Sequence, residues 1–441
     1  MRTRTRWGRS LATVTLAIVA VLAMAASGGA AEVKVPDVFG GQSKASALEL
    51  AVVTPLINVT QTIAQTVGEA THTPTALSKS ILGTGTLINQ AIEAKIGEDK
   101  SGSMLGLDNM GINLGVGTMT ASATALPKAV SMSELVGLKV NLAPVADLID
   151  AQAPGITDNV QAIADGANTI LGVVNDALEQ VATGINDLGL GTTLKLDLGT
   201  LPNPLKVDLV RIDKLVSTSS VLRDGALVKS EATSQVLGLD ILAAPGQKGV
   251  IHADVISLSA AAEAAGVPGS AKATTVRKIL GLKVGNTEVL DITDGVIKIA
   301  GSELPVATKD IVDTVTGLLS GALTTLGVEI STLLNPTTQA SPDGKSAMAA
   351  INSLSLKVRP LAAIGALPVG EGTVPVDVNS LMVSLSLPGA AAAVNAAQLP
   401  TTLLAANQLP RTGGAAAAVL LGGMMMAGAF GLKKISFRPE R

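Results

Sequence analysis

The chain has 441 residues, with 32 Lys and Arg against 35 Asp and Glu, two His and no Cys. Eight of the basic residues and one of the acidic ones lie in the terminal segments 1–31 and 413–441, so residues 32–412 carry a net charge of −10. That balance excludes nucleic-acid binding through a basic footprint and docking on anionic wall polymers by charge, and the absence of cysteine excludes disulfides and thiol chemistry.

In chain order, Arg2, Arg4, Arg6 and Arg9 form a positive segment ahead of an apolar run from Leu11 to Met24. Ala23-Met24-Ala25 and Gly29-Ala30-Ala31 then offer two small-residue cleavage sites. This is the layout of a secretory signal peptide over residues 1–31, with cleavage after Ala25 or Ala31. Trp7, Phe430 and Phe437 fall in the terminal segments and tyrosine is absent, so Phe39 is the single aromatic residue of the body. Ring stacking on sugars and Trp or Tyr interface anchors are thereby excluded as usual modes of binding. A hydrophobic fraction of 47 % is too high for a solvated coil.

The body shows two textures. Period-two alternation predicts strands over Lys44–Val53, Asn113–Ala125, Lys206–Val216, Ala226–Leu242, Gly249–Ala260, Glu288–Ile299, Ala349–Val358 and Asn379–Leu387. Asp224-Gly225, Asp294-Gly295 and Pro342-Asp343-Gly344 supply turns. Apolar spacings of three and four predict helices over Pro144–Leu188 and Lys309–Leu334, and a looser, interrupted helical stretch over Leu56–Ile96.

A repeat of about forty residues runs through the strands. Ser230-Glu231-Ala232-Thr233 leads to Leu237-Gly238-Leu239-Asp240-Ile241, and Ala271-Lys272-Ala273-Thr274 leads to Leu280-Gly281-Leu282-Lys283-Val284. A fainter copy joins Ser122-Ala123-Thr124-Ala125 to Val136-Gly137-Leu138-Lys139-Val140. The expected fold is α+β, mainly antiparallel β in sandwich-like or stacked-sheet domains, with inserted helical hairpins and a C-terminal transmembrane helix. The expected division is a mixed strand and helix domain over 32–205 and a β-rich repeat domain over 206–387 with its helical insertion at 309–334. An Ala-rich segment over 388–408 follows, read as a spacer or a last docking helix.

Chemistry-bearing motifs are sparse. His72 and His252 lie far apart in sequence and read as ordinary surface or strand residues; no zinc ligand set, G-x-S-x-G elbow or H-E-x-x-H helix is present. Glu98, Asp99, Ser101, Ser103 and Asp108 form an oxygen-rich segment suited in type to calcium, yet Met110 stands where an EF-hand places its bidentate Glu. A solvated polar loop is the expectation there. No catalytic residue, metal or cofactor is assigned.

The C-terminal segment carries the most specific signal. Leu409, Pro410, Arg411, Thr412 and Gly413 spell LPRTG, followed by an apolar run over 415–432 and by Lys433, Lys434, Arg438 and Arg441. Proline keeps the pentapeptide extended, the run is long enough for the hydrocarbon core, and the cations hold it from the cytoplasmic side. The order resembles the cell-wall sorting signal of Gram-positive surface proteins, and the Ser-x-Ala-x and LGL-x-V texture of the body resembles that of actinobacterial members. The resemblance implies that sortase cuts between Thr412 and Gly413 and joins Thr412 to peptidoglycan, after a membrane-held precursor stage. It implies a secreted, wall-anchored, surface-exposed protein of structural or interaction role, non-enzymatic, whose extracellular partner is unknown. The alternative is a wall-anchored hydrolase acting on peptidoglycan or another exported polymer. A sortase-assembled pilin shaft is a third reading, against which the missing tyrosine counts.

Overall fold

The computed structural model describes residues 33–152, 207–303, 328–359 and 382–397, with 38, 55, 72–74, 125–127, 286, 294–295, 300–301, 333–335, 352–353 and 388 excepted, and the isolated positions 176, 179 and 183. The described chain is almost entirely strand. In order it forms β1 (Gly40–Val53), β2 (Asn58–Thr71), β3 (Thr75–Gly85), β4 (Gln90–Lys95), β5 (Glu98–Met104), β6 (Leu107–Asn109), β7 (Ile112–Thr124) and β8 (Lys128–Asn141). A short helix α1 (Ala143–Gln152) follows, and then β9 (Asp208–Asp224), β10 (Leu227–Ala243), β11 (Gly249–Ala264), β12 (Lys272–Val284), β13 (Thr287–Thr293), β14 (Val296–Ile299) and β15 (Ser302–Glu303). The last elements are β16 (Val328–Thr332), β17 (Thr337–Ala340), β18 (Ser346–Ile351), β19 (Leu354–Val358), β20 (Met382–Ser386) and β21 (Gly389–Asn395).

Two antiparallel sheets result. The first runs β16-β19-β20-β1-β2-β3-β4, with β21 pairing the outer half of β1 and carrying β18 and β17 beyond it. The second runs β15-β14-β13-β12-β11-β10-β9-β8-β7-β5, with β6 also on β7. They stack face to face in matching order: β3 lies over β7 and β8, β2 over β8 and β9, β1 over β9 and β10, β21 over β10 and β11, and β18 over β11 and β12. The mainly antiparallel, sandwich-like expectation therefore holds for the described chain.

Each long strand of the second sheet has two unlike halves. Towards one end the inward side chains are large and aliphatic: Leu114, Leu138, Ile212, Leu239, Ile241 and Ile251 join Leu48, Leu50 and Ile63 of the first sheet in one cluster. Towards the other end they are alanines, such as Ala45, Ala232, Ala260, Ala262, Ala390 and Ala392, interleaved with buried hydroxyls. Here the sheets approach so closely that serines of one donate to main-chain carbonyls of the other. Ser78 Oγ reaches Val130 O at 2.6 Å, Ser80 Oγ reaches Met132 O at 2.6 Å, Ser217 Oγ reaches Ala64 O at 2.6 Å and Ser234 Oγ reaches Ser46 O at 2.7 Å. The hydroxyls of Thr66 and Ser219 meet at 2.9 Å. Buried hydroxyls are costly unless bonded, and the facing carbonyls meet that need.

The halves meet at a transverse crease. On β10 the buried series Val228, Ser230, Ala232, Ser234, Val236 resumes one residue out of step at Leu239 and Ile241. Gly238 lies between with φ +64°, and Gly137 on β8 and Gly281 on β12 do the same at +81° and +61°. A side chain at Gly238 would run into the Asp213 carboxylate, and one at Gly281 into that of Asp254. The LGL-x-V runs of the repeat are thus the crossing points of this crease, which only glycine adopts without strain.

Several expectations are corrected. Leu56–Ile96 forms β2, β3 and β4, because the apolar positions Val59, Ile63, Val67 and Ala70 mimic helical spacing while Gln61 and Thr66 occupy intervening inward sites. The helical insertion at 309–334 contains β16 at its end, and Val328 is fully buried there beside β19. The segment 388–408 begins with β21, a strand whose five residues Ala390–Val394 are fully buried. The division expected at 205/206 falls inside the second sheet, where β8 pairs β9. Of the helix expected over 144–188, α1 covers the beginning. The signal peptide, LPRTG and the apolar run 415–432 lie outside the described residues, and no described helix is long and apolar enough to cross a membrane.

Candidate functional site

The densest polar chemistry of the described chain lies on the outer side of the second sheet, near its aliphatic end. Strand register sets Arg211 of β9 opposite Asp240 of β10, Asp240 opposite His252 of β11, and His252 opposite Lys283 of β12. Because they share one row, their side chains emerge on one face within reach of each other. The row falls beyond the crease, so Asp240 is outward although the alternation counted from Ser230 would place it inward.

Asp240 and His252 are both almost fully buried. Asp240 Oδ2 accepts from Arg211 Nε at 3.2 Å and Nη2 at 2.6 Å, while Oδ1 accepts from the Gly249 amide at 2.7 Å. His252 Nδ1 meets Asp240 Oδ1 at 2.8 Å, and Nε2 lies 2.8 Å from Asp254 Oδ1 and 2.9 Å from Lys248 Nζ. Arg211 Nη2 also donates to Gln247 O at 2.6 Å, which ties down the hairpin between β10 and β11. Burial by itself would raise the Asp240 carboxyl; the Gly249 amide, Arg211 and His252 outweigh it and hold the group below the usual aspartate range. The His252 hydrogen bond does the same for Asp254, against a smaller contribution from burial.

Chemically the arrangement is saturated. Both carboxylate oxygens of Asp240 are bonded by the protein, and both nitrogens of His252 are engaged. A general base needs a lone pair within reach of a substrate proton, and here the ring is 1 % exposed. No hydroxyl is among the partners of His252. The cluster is an electrostatic lock across β9, β10 and β11.

The expectation for His252 as an ordinary strand residue is corrected in part: it lies in a strand, but as the buried centre of this lock. Period-two counting missed it because the crease inverts the phase on both strands, between Val236 and Leu239 on β10 and between Ala253 and Ile256 on β11. The signal that could have found it was the alignment of Asp240 and His252 on either side of the Pro245-Gly246 turn. His72, LPRTG (Leu409, Pro410, Arg411, Thr412, Gly413) and Lys433, Lys434, Arg438 and Arg441 lie outside the described residues. The oxygen-rich segment is not a loop. Glu98, Asp99, Ser101 and Ser103 belong to β5, whose pairing to β7 spreads them along a strand, and Asp108 belongs to β6. Glu98 is bonded to the Lys95 amide and to Lys100. Among the described residues no three His, Asp or Glu side chains are arranged so that they could hold a metal ion.

No family model matches this chain. No curated protein matches it either. Among solved structures, Pseudomonas aeruginosa OpdO aligns at 9 % identity over 82 % of this chain and 97 % of that one, with a TM-score of 0.12. Pseudomonas aeruginosa OccK11 (OpdR) aligns at 7 % identity over 82 % and 97 %, also at 0.12. Scores of that size carry no argument about fold or function.

Proposed function

We propose that this chain is an exported, sortase-anchored cell-wall protein whose β-sandwich body has a structural or interaction role rather than a catalytic one. The observation that carries the reading is the order LPRTG, apolar run 415–432, then Lys433, Lys434, Arg438 and Arg441. In this reading residues 1–31 direct export, and 415–432 cross the membrane as a helix while the cations stop transfer. Leu409 and Pro410 present the strand that sortase grips. Thr412 becomes the acyl group passed to a peptidoglycan amine as the bond to Gly413 breaks.

The body supports the non-enzymatic part through its most reactive-looking cluster. Among the described residues the wall-hydrolase alternative would turn to Asp240 and His252, where a carboxylate and a histidine converge, yet both are almost fully buried and their hydrogen-bonding atoms are engaged within the protein. A sandwich held by an aliphatic core at one end and a hydroxyl seam at the other suits a rigid display scaffold.

The test is mass spectrometry of the C-terminal peptide released from purified walls by a muramidase. A peptide ending at Thr412 and joined to a cross-bridge amine is expected, and Thr412→Ala should abolish it and move the protein to membrane or medium. An intact C-terminus running to Arg441 on wall-associated protein would overturn the sorting reading.

A further inference from the structure

We propose that β20 and β21 form a directional clamp that carries tension between the body and its anchor. The clamp resists a pull along the strands and gives way to a pull across them. This deepens the display reading and rests on it, because attachment at Thr412 passes every load on the body into the chain that leaves β21.

The last strands of the described chain lie in the interior of the first sheet, against its first strand. β20 and β21 keep one register on β1, from Met382 on Val53 to Asn395 on Gly40. On their other side they keep one register on β19 and β18, from Val383 on Val358 to Asn395 on Ser346. β21 also lies under β10 and β11 of the second sheet. Leu385, Ala390, Ala391, Ala392, Ala393 and Val394 are fully buried. To leave the sheet, this segment must give up two ladders and expose a row of buried side chains to water.

The point where the chain leaves the body is tied down from both sheets. The Ala396 amide donates to Lys345 O at 2.6 Å, and Asn395 Nδ2 donates to Pro36 O at 2.6 Å. Gly266 lies so close to the Ala396 carbonyl that a side chain there would run into it. The Gly266 amide donates to Gly344 O at 2.9 Å, and Ser270 Oγ donates to the same carbonyl at 3.2 Å. The turn between β11 and β12 and the turn between β17 and β18 are thus bonded to each other around the exit.

Direction follows from the topology. β1 begins at Gly40 beside Asn395 and ends at Val53 beside Met382. Hydrogen bonds of an antiparallel ladder run perpendicular to its strands. Pulling the Val53 end of β1 against the C-terminus slides the ladder lengthwise and strains its bonds together. Pulling the Gly40 end against the C-terminus opens the same ladder pair by pair, starting at Asn395. The same bonds break in both cases and only their order differs, so the contrast lies in the barrier to unfolding, which governs forced unfolding, and not in stability. A partner that grips the end of the body away from Asn395 therefore loads the clamp in its strong direction.

The chain has no cysteine, so a single substitution gives a unique handle. The full chain is fixed to a surface through Arg441 and pulled in an atomic force microscope through Asn58→Cys or Asp37→Cys. Both residues are exposed, Asn58 just past the far end of β1 and Asp37 just ahead of its near end. The Asn58→Cys chain should rupture in one event, at several times the force that opens the Asp37→Cys chain in small steps. The two variants should share one urea-unfolding midpoint. Equal forces in the two directions, or a higher force through Asp37→Cys, would overturn the clamp. A loss of stability in Asp37→Cys alone would overturn it as well, since the weaker direction would then be a weaker fold. Fixing the chain through Arg441 makes no use of sortase, so this outcome is independent of the Thr412 peptide. An intact C-terminus in walls would remove the anchor and leave the clamp standing.

Discussion

The two ends of the sandwich solve the same packing problem by opposite means. At the aliphatic end, leucines, isoleucines and valines interdigitate between sheets, and stability comes from apolar area removed from water. At the other end the side chains are too small to bury much area each. The sheets close up instead, and serine hydroxyls bond across the narrowed gap to main-chain carbonyls. The crease at Gly137, Gly238 and Gly281 lets the same strands serve both regimes, because it resets which residues face inward just where the spacing changes. Small side chains give a tighter interface here, not a looser one, provided that each buried hydroxyl finds an acceptor.

The contrast can be broken most strongly at the aliphatic end. Leu138 is almost fully buried, and Leu138→Ala should cost about 2–5 kcal/mol through lost burial and a residual cavity, read from the urea-unfolding midpoint. Retained stability would mean that the sheets collapse onto the gap. Asp240→Asn should follow at about 3 kcal/mol, because it leaves Arg211 poorly paired in a largely buried site. It also carries a pH signature. The folded-state carboxyl of Asp240 is depressed, so its contribution is present above the unfolded value of about 4 and is lost as pH falls through the folded value. Melting curves across that acid range should show a step in the parent protein that is smaller in Asp240→Asn.

At the small-residue end the sign of a size change reverses. Ala260 is almost fully buried under the first sheet. Ala260→Leu adds apolar surface yet should destabilise by about 1–3 kcal/mol, since the closed gap has no room; a gain in stability would show that the ends are not so different. Gly238→Ala should cost about 1–3 kcal/mol, from its positive φ and the Asp213 carboxylate beside it. The smallest effect sharpens the picture of the seam. Ser234→Ala removes one bond to Ser46 O and should cost about 0.5–1.5 kcal/mol, whereas the same change at exposed Ser101 should be silent.

Much of this architecture was legible in the residues. Residues 228–236 and 256–264 alternate up to the crease, because every inward site is Ala, Ser or aliphatic and most outward sites are polar. Asp224-Gly225 and Pro342-Asp343-Gly344 marked real hairpin turns. Legibility failed where polar groups face inward. Gln61 on β2, and Ser78 and Ser80 on β3, are buried because carbonyls await them across a gap or a loop, and Thr66 on β2 is buried against the Ser219 hydroxyl; all these partners are far away in sequence. The same holds for β21, whose run of alanines reads equally as spacer, helix or strand until β1 and β18 are placed on either side of it.

What the sequence determined by itself was local or compositional. It set the alternation of strands, the repeat built on LGL-x-V, the exclusion of disulfide chemistry and aromatic recognition, and the order of LPRTG, apolar run and cationic tail. What only the tertiary structure decided was which serines are interior, where the phase of each strand inverts, and that Asp240, His252 and Arg211 form one lock. Those outcomes depend on which carbonyl or charge lies opposite, a relation between strands that no single stretch of chain contains.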